Sequence, residues 1–162
     1  MKKTTAALAL LILATQGCSM GDLAPGVAQI TITKNNTPCF TLPQQLASRA
    51  KDPKITNVVL YENRQPIWEF NVDINSAPSV SQSTCIPLNT LKMGATGAPV
   101  SNPEPIKLKN NTPYLVTVVA RDSSTRGDAA RLIGDAYFCI SRSSNGAMQV
   151  LQAPSLNALR CP

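Results

Sequence analysis

Apolar and polar residues alternate along most of this chain. In PIWEFNVDI (66–74), Trp68, Phe70, Val72 and Ile74 alternate with Glu69, Asn71 and Asp73. A period of two places successive side chains on opposite faces of a strand, one dry and one wet. The β-branched run ITNVVLYE (55–62) precedes it, and Asn63-Arg64-Gln65-Pro66 between the two suits a turn, so 55–74 reads as a hairpin. QITIT (29–33) with PCFTL (38–42) forms a second. IKLK (106–109) with YLVTVVA (114–120) forms a third. DAYFCIS (135–141) with AMQVLQ (147–152) forms a fourth, around Ser144-Asn145-Gly146.

The pentapeptide KNNTP occurs twice, at 34–38 and 109–113, each time between two strand-like runs. Asparagine tolerates a positive φ better than most residues, so both copies read as the same turn chemistry used twice.

Helical signal is scarce. PQQLASRAKD (43–52) suits a short helix or a single turn, and a short helix fits around Ala129 to Ile133. Residues 89–105, rich in Gly, Pro, Ser and Asn, read as a long surface connection. Many short strands at this spacing predict an all-β fold: an immunoglobulin-like antiparallel β-sandwich of about seven or eight strands, with a small β-barrel as the alternative. The run Thr112 to Val118 resembles the penultimate strand of immunoglobulin-like and fibronectin-like sandwiches, and a single Trp near mid-chain, Trp68, fits the core of one.

The first residues break the alternating pattern. Lys2 and Lys3 precede an apolar run from Thr4 to Ala14, too short for a membrane span and suited to an export signal. Leu13, Ala14 and Gly17 before Cys18 come close to the pattern of a bacterial lipobox, in which the thiol is acylated and becomes the first residue of the mature chain; Gln16 is off its ideal. The expected organisation is a signal peptide at 1–17, a lipidated N-terminus and tether at 18–27, and one β domain at 28–162. Three acyl chains would hold the protein permanently, since each buried CH₂ contributes about 0.8 kcal/mol. Ser19 after the cysteine resembles the sorting signal of enterobacterial lipoproteins sent to the outer membrane. The expected location is therefore the periplasm, with a lipid anchor in that membrane.

With Cys18 assigned to lipid, Cys39, Cys85, Cys139 and Cys161 remain. An even number in an exported chain predicts two disulfides. Of three possible connectivities, Cys39–Cys85 with Cys139–Cys161 is expected, the second pinning a C-terminal tail that would otherwise fray. Of the 15 basic residues, Lys2 and Lys3 leave with the signal, so 13 face nine acidic ones. That mild, scattered excess, without basic-aromatic interleaving, speaks against nucleic acid.

The chain has no histidine, which removes the commonest general base and every Ser-His or Cys-His arrangement. No C-x-x-C pair, Gly-rich phosphate loop or metal-spaced acidic loop occurs, so no metal, cofactor or catalytic set is expected. The densest charged stretch, ARDSSTRGDAARLIGDA (120–136), carries Arg121, Asp122, Arg126, Asp128 and Arg131. Its plain reading is a solvated connection between strands, and its functional one is a partner-binding loop on a rigid sandwich. The Arg-Gly-Asp at 126–128 is a three-residue match of the kind chance supplies. Trp68 reads first as core, second as an interface anchor.

In order, the chain presents a lipobox cysteine, a GD…PG tether, Pro38-Cys39-Phe40, Trp68-Glu69-Phe70, Cys85-Ile86-Pro87, the PYLVTV strand and Tyr137-Phe138-Cys139-Ile140. This series resembles the small enterobacterial lipoproteins described as type VI secretion immunity periplasmic lipoproteins, over nearly the whole mature chain. The resemblance implies a tethered binding protein that neutralises a toxin delivered into the periplasm. It carries over no catalytic residue, and the alternative expectation is a structural or assembly accessory lipoprotein of the cell envelope.

Overall fold

Two sheets face each other in a computed structural model that describes residues 25–90, 105–124, 131–144 and 146–162. The strands are β1 (Gly26–Val27), β2 (Gln29–Ile32), β3 (Pro38–Thr41), β4 (Pro53–Glu62), β5 (Gln65–Asn71), β6 (Ile86–Pro87), β7 (Tyr114–Asp122), β8 (Arg131–Arg142) and β9 (Met148–Ala153). The large sheet runs β1-β8-β7-β4-β5, with β9 pairing β8 beyond β1. The small sheet runs β2-β3-β6. The fold is an all-β sandwich, as the alternation predicts. Among its named strands the parallel pairing, β1 on β8, lies where the chain enters the large sheet.

The core forms where the dry faces meet. Phe40 from β3 is fully buried, and its ring centroid lies 5.9 Å from those of both Trp68 on β5 and Phe138 on β8. Val58 and Leu60 of β4, Val116, Val118 and Ala120 of β7, and Leu132 and Ala136 of β8 complete the layer. Burying each large side chain contributes about 1.5–3 kcal/mol. Trp68 is a core residue, 6% exposed, and its indole Nε1 has no hydrogen-bond partner among the described residues.

Local chemistry accounts for the turns. Asn63 (φ 51°) and Arg64 (φ 65°) both lie in the left-handed region, so the β4–β5 turn is a tight two-residue one, and Pro66 falls inside β5. Proline is tolerated there because β5 is an edge strand. The second Asn of each KNNTP copy adopts the same conformation, Asn36 at φ 57° and Asn111 at φ 56°. The following threonines repeat the match: Thr37 Oγ1 donates to the Asn35 carbonyl, and Thr112 Oγ1 to that of Asn110. Only the first copy closes a hairpin. There Asn36 Nδ2 donates to the Gly146 carbonyl and Asn36 Oδ1 accepts from Met148 N–H, tying the β2–β3 turn to the base of β9.

Two expectations are corrected. Residues 106–109 do not form a strand. β7 is paired along its length with β4 on one side and with β8 on the other, so no edge is left for a 106–109 partner. That segment is instead held by Tyr114, whose Oη accepts from Lys109 N–H at 2.8 Å, a Tyr-to-upstream-backbone tie like that of immunoglobulin-type sandwiches. The helix expected up to Ile133 is not present over 131–133: these residues begin β8, with Leu132 buried opposite Ala120. Within 43–52, Gln44–Ala47 forms α1, a single helical turn after Pro43, as one of the two readings expected.

Both disulfides pair as expected. Cys39–Cys85 joins β3 to the residue before β6, with Cα atoms 5.5 Å apart. Cys139–Cys161 joins β8 to the C-terminal tail, with Cα atoms 5.9 Å apart.

Candidate partner-binding face

The face of the large sheet turned away from the core is covered by no second layer among the described residues. Strand register lays its outward side chains in four rows across β4, β7 and β8. These rows are Tyr61–Leu115–Tyr137, Val59–Thr117–Asp135, Asn57–Val119–Ile133 and Lys54–Arg121–Arg131. A bulge at Thr56 keeps Lys54 in line with Arg121. The apolar members, Val59, Tyr61, Leu115, Val119, Ile133 and Tyr137, are all half-buried, and Arg121 and Arg131 are exposed.

The polar groups in the middle of the face satisfy one another. Thr117 Oγ1 donates to Asp135 Oδ1 at 2.7 Å, and Asn57 Nδ2 donates to Glu69 Oε1 at 2.8 Å. These short pairs consume donors and acceptors that would otherwise need water, so the middle of the face sets Val59, Val119 and Ile133 among polar groups that are already paired.

Each end of the face is shaped. At one end the tail, pinned through Cys139–Cys161, buries Leu159 against Ala153 and Cys139. Leu156 from the same tail joins Tyr61, Arg64, Leu115 and Tyr137 around a depression of about 400 Å³. At the other end, Asn57, Asn71, Asp73, Val119, Arg121 and Arg131 line one of about 380 Å³.

The structure separates the charged residues singled out in the sequence. Arg121 and Arg131 are register partners on the outer face. Asp122, one residue on, faces the opposite way and is 6% exposed. Its carboxylate accepts from Lys51 N–H (3.0 Å), Asp52 N–H (3.1 Å), Ser124 N–H (3.0 Å) and Ser124 Oγ (2.7 Å). Burial by itself would raise this carboxyl. The Lys51, Ser124 and Asp52 donors outweigh it and hold the group down to about 2. Ser123 Oγ adds a hydrogen bond to Asp52. Asp122 thus locks the entry to β4 onto the exit of β7. Arg126, Asp128 and Cys18 lie outside the described residues.

The connection at 89–105 is closed at its base. Asn89 (φ 66°) donates from Nδ2 to the Ile106 carbonyl at 3.0 Å and accepts from Ile106 N–H at 2.8 Å. Residues 91–104 of it lie outside the described residues.

Reading the loops for function missed this face. Its signal was in the strands: YLVTVVA is apolar at both parities, and so is NVVLY. Leu115, Val119 and Val59 give that face more apolar surface than strict alternation would.

Among the described residues, no group of three or more His, Cys, Asp or Glu is placed to hold a metal ion, and no helix is long and apolar enough to cross a membrane. No family model, curated protein or solved structure matches the chain.

Proposed function

We propose that the chain is a periplasmic lipoprotein anchored to the outer membrane through Cys18, and that it works as a non-catalytic binding protein giving immunity against a toxin delivered by a type VI secretion system. The single observation that carries the binding role is the uncovered face of the large sheet. It carries Val59, Val119, Ile133 and an aromatic row between two shaped ends, pairs the polar groups at its middle with one another, and is bordered by exposed arginines. Protein interfaces likewise combine apolar residues with a polar rim and few unpaired buried groups. The sandwich behind it is rigid and cross-linked, so little order is lost when a partner docks. The lipobox pattern at 13–18 supports the anchor, which would concentrate the binder at the envelope where a toxin arrives.

The test is a competition between bacteria. A strain deleted for this gene is killed by siblings that deliver the matching toxin, and survival returns when the gene is restored. Deletion strains that survive every sibling attack as well as the parent overturn the immunity role. Fractionation tests the anchor separately: Cys18→Ala moves the protein from the membrane to the soluble fraction, and its retention in the membrane overturns lipidation.

A further inference from the structure

The lower row of the outer face places positive charge where a sheet ordinarily avoids it. Arg121 and Arg131 stand directly opposite each other across β7 and β8, and Lys54 continues the row on β4. Like charges directly opposite destabilise a strand pair. Lys54 Nζ lies 3.9 Å from Asp52 Oδ2, so that member is balanced. Neither guanidinium has a carboxylate within ion-pair range or a hydrogen-bond partner among the described residues. Asp73 lines the same depression, but its Oδ1 accepts from both Asn75 N–H and Asn75 Nδ2 at 2.8 Å. Asn71 belongs to the same wall.

We propose that Arg121 and Arg131 form a receptor for a carboxylate on the toxin, an Asp or Glu side chain at the edge of an apolar contact. The proposal rests on the binding role given above and adds to it the face, the residues and the partner's chemistry. Two forks from directly opposed positions on neighbouring strands, both lining one depression, can each meet a carboxylate oxygen, and a charge-assisted pair of this kind has the directional geometry that lysine lacks. The carboxylate also relieves the repulsion between the two arginines, so the pair discriminates against neutral partners. The next row inward, Asn57–Val119–Ile133, and the aromatic row at the far end are apolar or neutral. That pattern suits a protein surface with one acidic residue better than a lipid headgroup layer, which would favour basic residues across the whole face. Arginine is also enriched in interface hot spots, and here Val119 and Ile133 are the aliphatic neighbours one row in.

The experiment titrates the ¹⁵N-labelled full chain, in neutral detergent micelles, with the probe acetyl-Gly-Glu-Gly-amide and with its Gln counterpart. The expected result is a shift of the Arg121 and Arg131 Nε–H signals and of the Val119 amide by the Glu peptide. The Gln peptide is expected to bind at least tenfold more weakly. Arg121→Gln with Arg131→Gln, both on exposed positions, removes the response while leaving the dispersion of the remaining amide signals unchanged. Equal responses to the two peptides, or no shift at either arginine, overturn the proposal. So does a shift produced by doping the micelles with phosphatidylglycerol but not by the Glu peptide, which would make the pair a lipid contact. The titration needs no toxin, so its failure is distinct from failure of the competition assay: one removes the carboxylate receptor, the other the immunity role.

Discussion

Asp122 lends itself to the most quantitative prediction. The buried carboxylate accepts hydrogen bonds from residues 51, 52 and 124 and titrates at about 2 in the folded protein, against an ordinary value of 3.8. A depressed folded-state value means the ionised form is bound more tightly by the fold than by the unfolded chain. The stabilisation is therefore complete above pH about 4 and is lost as pH falls through the folded value. A tenfold change in proton affinity corresponds to about 1.4 kcal/mol, so the contribution at neutral pH is about 2 kcal/mol. In Asp122→Asn, one acceptor oxygen becomes a donor that faces backbone N–H groups, so that variant loses at least this contribution at pH 7. Urea denaturation of the two proteins at several pH values between 7 and 2 reads the difference directly. At pH 7 the variant is expected to be less stable by about 2–3 kcal/mol, and the gap narrows below pH 4 as the parent loses its carboxylate. Two stability curves that run parallel from pH 7 to pH 2 would refute the assignment of Asp122 as an ionised clamp.

Packing and cross-links set three further outcomes. Gly134→Ala places a Cβ 2.5 Å from Leu42 Cδ2 and 3.1 Å from Ala28 N, where β1 meets β8, and is expected to cost about 1–3 kcal/mol in a denaturant melt. Trp68→Phe removes an indole N–H that has no partner among the described residues and costs less than about 2 kcal/mol, whereas Trp68→Ala opens the Phe40 contact and costs about 3–5 kcal/mol, both read by the same melt. Replacing Cys39 and Cys85 by Ser opens a link of sequence separation 46 and costs about 4 kcal/mol, against about 3 kcal/mol for Cys139 and Cys161 with a separation of 22, as paired melts of the two variants will show.

The parts of this fold that were legible in the sequence are local. The hairpins at 55–74 and 135–152 announce themselves because alternation and turn residues are written within a few positions of each other. The disulfide pairs were legible from parity and from the position of Cys161 near the end. The segment 106–109 misled because IKLK alternates correctly, yet pairing is decided by which edges of β7 remain free, and that depends on β4 and β8, neither of which the segment itself reveals. Asp122 was singled out for its charge within a loop. Its partners at 51 and 52 are some 70 residues upstream, and its orientation follows from strand parity: Arg121 points out, so Asp122 points in. The outer face was hidden for the opposite reason. Its apolar residues come from three strands, and none of those strands shows by itself that the other two line up beside it.

The same parity explains why the face and its scaffold can be altered separately. Val118 and Ala120 hold the core, while Val119 and Arg121, one step along the same strand, belong to the face. Substitutions at the outward positions therefore test binding with little disturbance of packing.

Protection of the host through the outer face of the large sheet is tested most directly by survival in competition. The strain to use carries a restored gene with Val59→Glu and Val119→Glu, checked for parental protein level and membrane location. This strain is expected to be killed as the deletion strain is. Survival equal to that of the parent would contradict a protective role for the face.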